Sequence, residues 1–573
     1  MTIGLQPAHP SSPDVTRARG SAKPDLAIAA GLFLISCLYL GLFRRYVSLD
    51  PDEGIVLQGA QRILAGQVLY RDFFSFFTPG SYYMLALWFK LFDSSLAVGR
   101  TALMVSGSLF PAFTYVVARR VCSRWSALLT AYLVIVTALP WRFLVLHNWD
   151  STLWACGALY CALRLVDGNG LALSAGVAAG IKPGATSAHW GWAFATGSFM
   201  AVTILFEQSK GAGLLLGLFL AFVILIWLDR PRVSFTPRVW LALVVGLAWP
   251  FILTFAYFGS QHAIGAMLAD WEWPLHHYTR ANTVPYGYQD WSDEARAKMF
   301  HSGSWGMRVL VLFIVSPCFF IPALPVLAVV LVACWVRQRA RGELSPARAA
   351  YYVVCCASFV GLLTSILAVR ANIIHFVYLI PLLYLVLAWL MDGADQPGVL
   401  MQSLRPVIAM GVFVTFSAVG LAFVVTSRDA RHGMETRQGW IRIAGEDSVL
   451  PYIQAHLPPG SQPLIYPYLP LYYYLTATSS PVRYDYIQPG MHSTEQVTEV
   501  IAELTQHPPK AVLYNITFNE VIANSWPNTP LPAIAREPIS EYLLQNYRPC
   551  AVLRSAAGWP FLYMVEKHAA CPR

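Results

Sequence analysis

The chain has 573 residues, of which 56% are hydrophobic and 12% charged. That balance, with a mean hydropathy of +0.50, excludes an ordinary set of soluble domains and describes a chain mostly dissolved in lipid. The net charge of +9 comes without a basic helix or an aromatic-basic RNA motif, so it excludes nucleic acid as the partner and reads as Lys and Arg kept in cytoplasmic loops.

Residues 1–25 are polar, with Arg17, Arg19 and Lys23, and read as a disordered cytoplasmic leader. The apolar run 26–43 is just long enough to span. Arg44, Arg45 and Tyr46 follow it in place of a small-residue cleavage site, so it reads as an uncleaved anchor. Next come Asp50, Asp52 and Glu53, three carboxylates in four residues. Acids cost too much inside lipid to lie there idly, so they belong at a water-facing boundary. Further apolar runs occupy 78–92, 97–118, 125–146, 151–166, 190–206, 211–228, 239–258, 308–336, 350–369, 373–391 and 401–425. The Gly- and Ala-rich stretch 167–189 is irregular and receives no element.

Charge sets the topology. The basic loops around Arg119, Arg120 and Arg124, around Asp229, Arg230 and Arg232, and around Arg337–Arg341 should face the cytoplasm. Counting crossings between them puts residues 142–150, 207–210, 259–305 and 370–372 outside and exports everything after 426. With the leader inside, 78–92 cannot cross, so this short run reads as a re-entrant or interfacial helix. The fold class is therefore mostly α: a polytopic membrane protein of about eleven transmembrane helices with an interfacial helix in its first external loop. Arg44 and Arg45 then fall outside against the charge rule and should snorkel to lipid phosphates.

The tail changes character. Helical periodicity at 446–457, 494–504 and 539–547 alternates with strand-like runs at 463–467, 511–514 and 550–553. A small exported α/β domain follows, giving a division into 1–25 leader, 26–425 membrane domain and 426–573 exported domain. Cys550 and Cys571 could form a disulfide if the tail is exported. Cys37, Cys156, Cys161, Cys318, Cys334, Cys355 and Cys356 lie in apolar runs as small buried hydrophobes. Asn515-Ile516-Thr517 fits a glycosylation sequon, which carries weight only in a host that uses one.

The external polar residues fall in four groups: Asp50, Asp52 and Glu53 with Arg71, Asp72 and Thr78; Arg142, His147, Asn148 and Asp150; Glu207–Gly211 with Lys210; and Arg370, Asn372 and His375. The count that placed them on one face made no use of them, and such convergence builds a cavity there. Each also has a plainer reading. Asp52, Glu53 and Asp150 can serve helix N-termini, Lys210 and Arg370 can anchor at the interface, Arg71 and Asp72 can form a surface ion pair, and His375 can bond a neighbouring helix. His276, His277, Asp270 and Glu272 lack metal-ligand spacing. The 259–305 loop, with Trp271, Trp273 and an amphipathic piece at 290–300, reads as a lid.

The pattern Asp50, Asp52, Glu53, Gly54, then Gly66, Tyr70, Arg71, Asp72, Phe73, then Pro79, Gly80, Tyr82, Tyr83 resembles the first external loop of the C-type membrane glycosyltransferases. The branch it is similar to contains the dolichyl-phosphate-mannose–protein mannosyltransferases and the aminoarabinose transferases. Arg100, Asp150, the 207–211 stretch, Arg370, His375 and Pro381 resemble later parts of that pattern, and the likeness covers most of 30–390. One departure is plain: the Lys or His before a paired proline is replaced by Phe77-Thr78-Pro79-Gly80.

The resemblance implies transfer of a sugar from a polyprenyl-phosphate donor to an acceptor hydroxyl on the external (periplasmic) face of a bacterial inner membrane, by inverting single displacement. It implies Asp52 as base, with Glu53 orienting it or helping hold a divalent cation (Mg or Mn), and Asp150 and Asp50 positioning acceptor or metal, so that Asp52, Glu53 and Asp150 form the implied metal set. Arg370, Lys210, Arg71 and His375 would meet the donor phosphate. Membrane lipid is a partner, and the acceptor stays open between lipid, glycan and protein. The rival readings are a multi-span transporter or lipid-linked sugar flippase, which would pair charges at mid-membrane in broken helices, and a non-catalytic scaffold.

Overall fold

Up to Asp429 the described chain is helical. A computed structural model describes residues 22–168, 187–228, 236–278, 282–301, 303–392, 399–523, 525–527 and 536–572. The polar leader before Ala22, the basic loop 229–232 and most of the irregular 167–189 stretch lie outside the described residues. The helices are α1 (Ala22–Leu40), α2 (Pro51–Leu64), α3 (Gly80–Phe92), α4 (Leu96–Gly107), α5 (Leu109–Ala118), α6 (Arg124–Trp141), α7 (His147–Gly168), α8 (Ser187–Phe206), α9 (Gln208–Leu228), α10 (Pro237–Ser260), α11 (Ile264–His276), α12 (Asp293–His301), α13 (Trp305–Ala340), α14 (Pro346–Val369), α15 (Ile373–Val377), α16 (Ile380–Asp392) and α17 (Val399–Asp429).

Among the described residues, eight helical stretches are long and apolar enough to cross a membrane: α1, α4–α5, α6, α9, α10, α13, α14 and α17. α7 and α8 have 22 and 20 residues, long enough to cross but less apolar, and α16 has 13. The expected eleven crossings thus require these three in addition to the eight that meet both criteria. α3 has 13 residues, about 20 Å of helix, too short for a hydrocarbon core of about 30 Å. Its length agrees with an interfacial position.

Lipid gives helices no hydrophobic reason to associate, so close backbone contact between small residues must hold them. A Cβ on Gly213 of α9 would lie 2.1 Å from the Gly361 carbonyl of α14, and one on Gly246 of α10 would lie 2.1 Å from the Phe194 carbonyl of α8.

The charged residues sort to two ends of the bundle. At one end Asp25 of α1 meets Arg119 (3.4 Å) and Arg124 (3.3 Å). Asp392, ending α16, accepts from the Ser123 N–H before α6 at 2.7 Å, and Arg348 of α14 donates to the Val121 carbonyl at 3.1 Å. At the other end lie the end of α6 and the starts of α2, α7 and α9, with the end of α14. The basic 119–124 loop thus lies at the end opposite to the one that gathers Asp52, Asp150 and Lys210.

After α17 the chain forms a hairpin, β1 (His432–Thr436) and β2 (Gly439–Ile443), and a sheet of β3 (Leu464–Tyr466), β4 (Val512–Asn515), β5 (Tyr547–Arg554) and β6 (Pro560–Glu566). Its order is β3-β4-β6-β5, with β3 parallel to β4 and the other pairs antiparallel. The helices between are α18 (Val449–His456), α19 (Pro470–Leu475), α20 (Thr494–Gln506), α21 (Phe518–Ile522) and α22 (Pro538–Asn546). Ser493 and Gln496 close a capping box on α20, which fixes the start that the periodicity indicated. Cys550 and Cys571 are disulfide-bonded, tying the C-terminus to β5. Asn515 is buried, and its Oδ1 accepts the Thr517 N–H at 3.0 Å. The sequon is thus a turn-forming asparagine closed to a bulky glycan.

This C-terminal unit grips the first loop of the helical part. Arg442 in β2 exchanges backbone hydrogen bonds of 2.8 Å with Arg45 and Val47. Arg45 does not reach toward lipid as expected: its guanidinium lies 5.5 Å from the Trp440 ring, a partner supplied only by the docked hairpin. Arg44 contacts Thr101 at 3.4 Å. Arg62 of α2 forms a buried ion pair with Asp485 at 2.8 Å. Asp270 of α11 accepts from the Ser75 N–H (3.2 Å) and from Arg483 (3.3 Å), joining three distant segments.

Gly54 is where α2 and α19 touch: a Cβ there would lie 2.0 Å from the Leu471 nitrogen. Backbone cannot swing aside as a side chain can, so Gly54→Ala should cost about 1–3 kcal/mol. A lower unfolding temperature and faster proteolysis after Asp429 would show it; wild-type behaviour in both would refute this contact.

Burial, against the pull of Arg483, pushes the Asp270 carboxyl up to about 7 from its ordinary 3.8. A carboxyl raised on folding stabilises in its neutral form, fully below the unfolded value and progressively less as pH rises through the folded one. Unfolding temperature measured from pH 4 to 7 should therefore fall, and fall less steeply in Asp270→Asn. Identical slopes would remove Asp270 from this account.

Candidate active site

Asp50 caps α2 by accepting the Asp52 N–H at 3.0 Å, and Pro51 fills the first helical position, where no donor is needed. Asp52 is thereby set on the first turn, where the helix dipole favours negative charge. Its Oδ2 meets Arg142 at 2.9 Å and its Oδ1 accepts the Tyr468 hydroxyl at 2.6 Å. The side chain still keeps 47% of its exposure. Arg142, at the end of α6, also holds Asp50 at 3.0 Å and donates to the Tyr378 hydroxyl at 3.0 Å. Burial pushes the Asp50 carboxyl up to about 6 despite Arg142.

Glu53 departs from its expected role. It is fully buried, takes two bonds from Arg100 at 2.9 and 2.5 Å, and accepts the Val145 N–H at 3.1 Å. A single residue step along the helix separates a half-open carboxylate from one sealed in the core. Glu53 pins α2 to α4 and to the loop after α6, and its oxygens are closed to substrate or metal. Arg100, singled out by the resemblance, is that pin's other half.

Asp150 is buried at the start of α7 and accepts from Ser81 at 2.7 Å. Asp52, Glu53 and Asp150 therefore occupy three separate settings, and the metal set drawn from them does not fit a shared ion. Among the described residues no group of three or more His, Cys, Asp or Glu is arranged to hold a metal.

The expected phosphate cations divide. Lys210 is buried and reaches the Asn148 carbonyl (2.9 Å), Ser151 (2.9 Å), Thr152 (3.1 Å) and Glu207 (2.9 Å). Three N–H bonds facing four acceptors leave no donor for a ligand. Arg370 ends α14, meets Asp290 at 2.8 Å and Asn282 at 3.1 Å, donates to the Ser525 carbonyl, and lies over Trp526; its Nε is buried without a partner. His375 shares a 2.6 Å hydrogen bond with Asn372, which donates to Asp290 at 2.5 Å. Arg71 is not brought to this place. It pairs with adjacent Asp72 at 2.8 Å and reaches the Gln261 carbonyl at 3.3 Å, beside Tyr83 and Tyr257, so the surface-pair reading describes it.

The remaining groups do converge. Tyr278 lies within electrostatic reach of Arg370, Asp52 and Glu207. His375 is within reach of Arg370, Glu207, Lys210 and Arg142, and His147 of Glu207, Lys210 and Asp52. Sequence reasoning missed Tyr468: it is 416 residues from the carboxylate it touches, and no local pattern spans that distance. The only hint was the tyrosine-rich run 466–474. The segment read as a lid packs against the first loop and the C-terminal unit through two tryptophans. Trp273 stacks on Phe76 at 5.1 Å and donates to Gln496 at 2.9 Å, and Trp271 donates to the Tyr70 hydroxyl at 2.8 Å.

A bundle of membrane-crossing helices followed by a small α/β unit is a fold known from solved polytopic membrane proteins. The chain is similar to ArnT from Cupriavidus metallidurans bound to undecaprenyl phosphate, at 15% identity, covering 96% of this chain and 99% of that one with a TM-score of 0.51. It is also similar to the Archaeoglobus fulgidus oligosaccharyltransferase tethered with an acceptor peptide, at 13% identity, 94% and 74% coverage and a TM-score of 0.50. The same oligosaccharyltransferase in complex with Zn and sulfate gives 13% identity, 92% and 72% coverage and 0.50. These likenesses establish the fold. No family model and no curated protein sequence matches the chain.

Removing one partner of a buried ion pair leaves an uncompensated charge and costs about 3–5 kcal/mol. Glu53→Ala should accordingly lower the unfolding temperature sharply, as Arg100→Ala should. A Glu53→Ala protein that unfolds at the wild-type temperature would return Glu53 to the chemistry.

Proposed function

We propose that the chain is a membrane glycosyltransferase that moves a sugar from a polyprenyl-phosphate donor to an acceptor hydroxyl, with Asp52 as base. The observation that carries this reading is the state of Asp52: half exposed at a helix N-terminus, oriented from two sides, among charges that protein partners already engage. The fold shared with a protein solved with undecaprenyl phosphate, and with one solved with a tethered acceptor peptide, supports it.

The chemistry needs few parts. The acceptor oxygen attacks the anomeric carbon, the bond from that carbon to the phosphate oxygen breaks, and the acceptor proton passes to Asp52. Each Asp52 oxygen has one donor, from Arg142 or Tyr468, so lone pairs remain for that proton. Backside attack in one step inverts the anomeric centre. The departing polyprenyl phosphate needs positive charge. Arg370 is the proposed source, its Nε being a donor not yet engaged. Lys210 contributes charge at a distance, and His375 faces the same space. Asp50 and Asp150 shape the chamber. The lipid tail of the donor would enter between helices, so the enzyme sits in the bacterial inner membrane with this end and the C-terminal unit 426–573 outside.

Proton abstraction by a placed base is worth about 10²–10⁴ in rate. Asp52→Asn should therefore lose at least about a hundredfold in transfer while keeping its unfolding temperature. Mass spectrometry of surface glycolipids, glycans and glycoproteins in cells with the wild type, with Asp52→Asn and with no copy would reveal acceptor and sugar. Undiminished product with Asp52→Asn would reject the base.

A further inference from the structure

We infer that His147, through its Nε2–H, binds the phosphate of the lipid-linked donor. The inference rests on the polyprenyl-phosphate reading above and names a residue that neither the motifs nor the resemblance assigned.

The cations at this end spend most of their donors on protein. Lys210 has no N–H left, Arg142 serves Asp50, Asp52 and Tyr378, and Arg370 holds Asp290, Asn282 and Ser525. Beyond the Arg370 Nε, a phosphate with several acceptor oxygens calls for a further donor that no protein group already uses.

His147 begins α7, and its ring lies against Phe77 with centroids 3.9 Å apart. Phe77 stands in the Phe77-Thr78-Pro79-Gly80 stretch that departs from the resemblance. Nδ1 is buried and has no partner; Nε2 is not among the sealed atoms and likewise meets no protein group among the described residues. A neutral imidazole carries one proton. Burying a bare N–H costs more than burying a bare lone pair, and orphaned N–H groups are the rarer of the two. The proton therefore belongs on Nε2, which presents a donor to the space shared with Asp52, Glu207 and Lys210.

His375 has the opposite polarity. Its Nδ1 is 2.6 Å from Asn372 Oδ1, an acceptor, so the proton lies there and Nε2 offers a lone pair. That lone pair repels a phosphate oxygen until a second proton arrives. Of the two histidines, His147 is the one that donates without a change of charge.

The test uses the full chain in detergent, with undecaprenyl monophosphate as probe and undecaprenol as the phosphate-free control, both titrated by calorimetry. The wild type should prefer the phosphate lipid. His147→Phe should weaken binding of that lipid about tenfold or more, as expected for one hydrogen bond to a charged oxygen. His147→Gln, which keeps an N–H donor, should bind it nearly as well as wild type. If His147→Phe does not fold, His147→Met, similar in reach and without an N–H, replaces it. Wild-type affinity in the Phe or Met variant overturns the assignment, and so does equal loss in the Gln variant. A wild type that does not distinguish the two lipids overturns the polyprenyl-phosphate reading as well, which separates the two failures.

Discussion

Asp52 is held by two donors from opposite parts of the chain: Arg142 at the end of a membrane helix and Tyr468 in the C-terminal unit. A half-buried carboxylate needs such donors, because a charge near lipid without a partner costs several kcal/mol. The consequence is structural as well as chemical. The C-terminal unit is not an appendage, since its hydroxyl completes the environment of the acid at the mouth of the bundle. Gly54 makes this possible by letting the backbone of α2 meet that of α19; any side chain there would push Tyr468 and its neighbours away.

The same constraint organises the rest of the charged end. Glu53 with Arg100, Arg370 with Asp290 and Arg62 with Asp485 each pair a charge on one segment with a charge elsewhere in the fold. Buried pairs of this kind stabilise modestly overall, because desolvation offsets much of the attraction. Breaking one is costly, so each acts as a register mark between segments that packing alone would let slide. Asp52 is the exception: paired, yet still open.

A transporter reading fits this arrangement poorly. It calls for ionisable pairs at mid-membrane on interrupted helices in matching halves. Here the ion pairs lie at helix ends, and the interior crossings of α9 with α14 and of α8 with α10 are made by glycines. One end of the bundle carries the polar chamber, and the other carries the Asp25, Arg119 and Arg124 cluster.

Composition and the spacing of apolar runs were enough to read a helical membrane protein, because lipid admits few backbone arrangements and each crossing needs its own apolar run. Alternating basic loops sorted Asp52, Asp150, Lys210 and Arg370 to one end for a related reason: a charge carried across lipid is costly, so sidedness is written locally. The helix at Pro51–Leu64 and the start of α20 were likewise written in their caps. The hairpin β1–β2 was not, since its pairing with the segment after α1 is a long-range hydrogen bond. Nor did sequence separate Asp52 from its neighbour Glu53. Two adjacent acids look alike in a string, and only the position of Arg100 on another helix decides which is buried in an ion pair and which faces the chamber. How the buried cations are engaged was likewise set largely by acceptors on other segments, Asn148, Ser151 and Thr152 for Lys210 and Asn282 and Asp290 for Arg370, and distances in space, unlike apolar runs, leave no periodic trace in the chain.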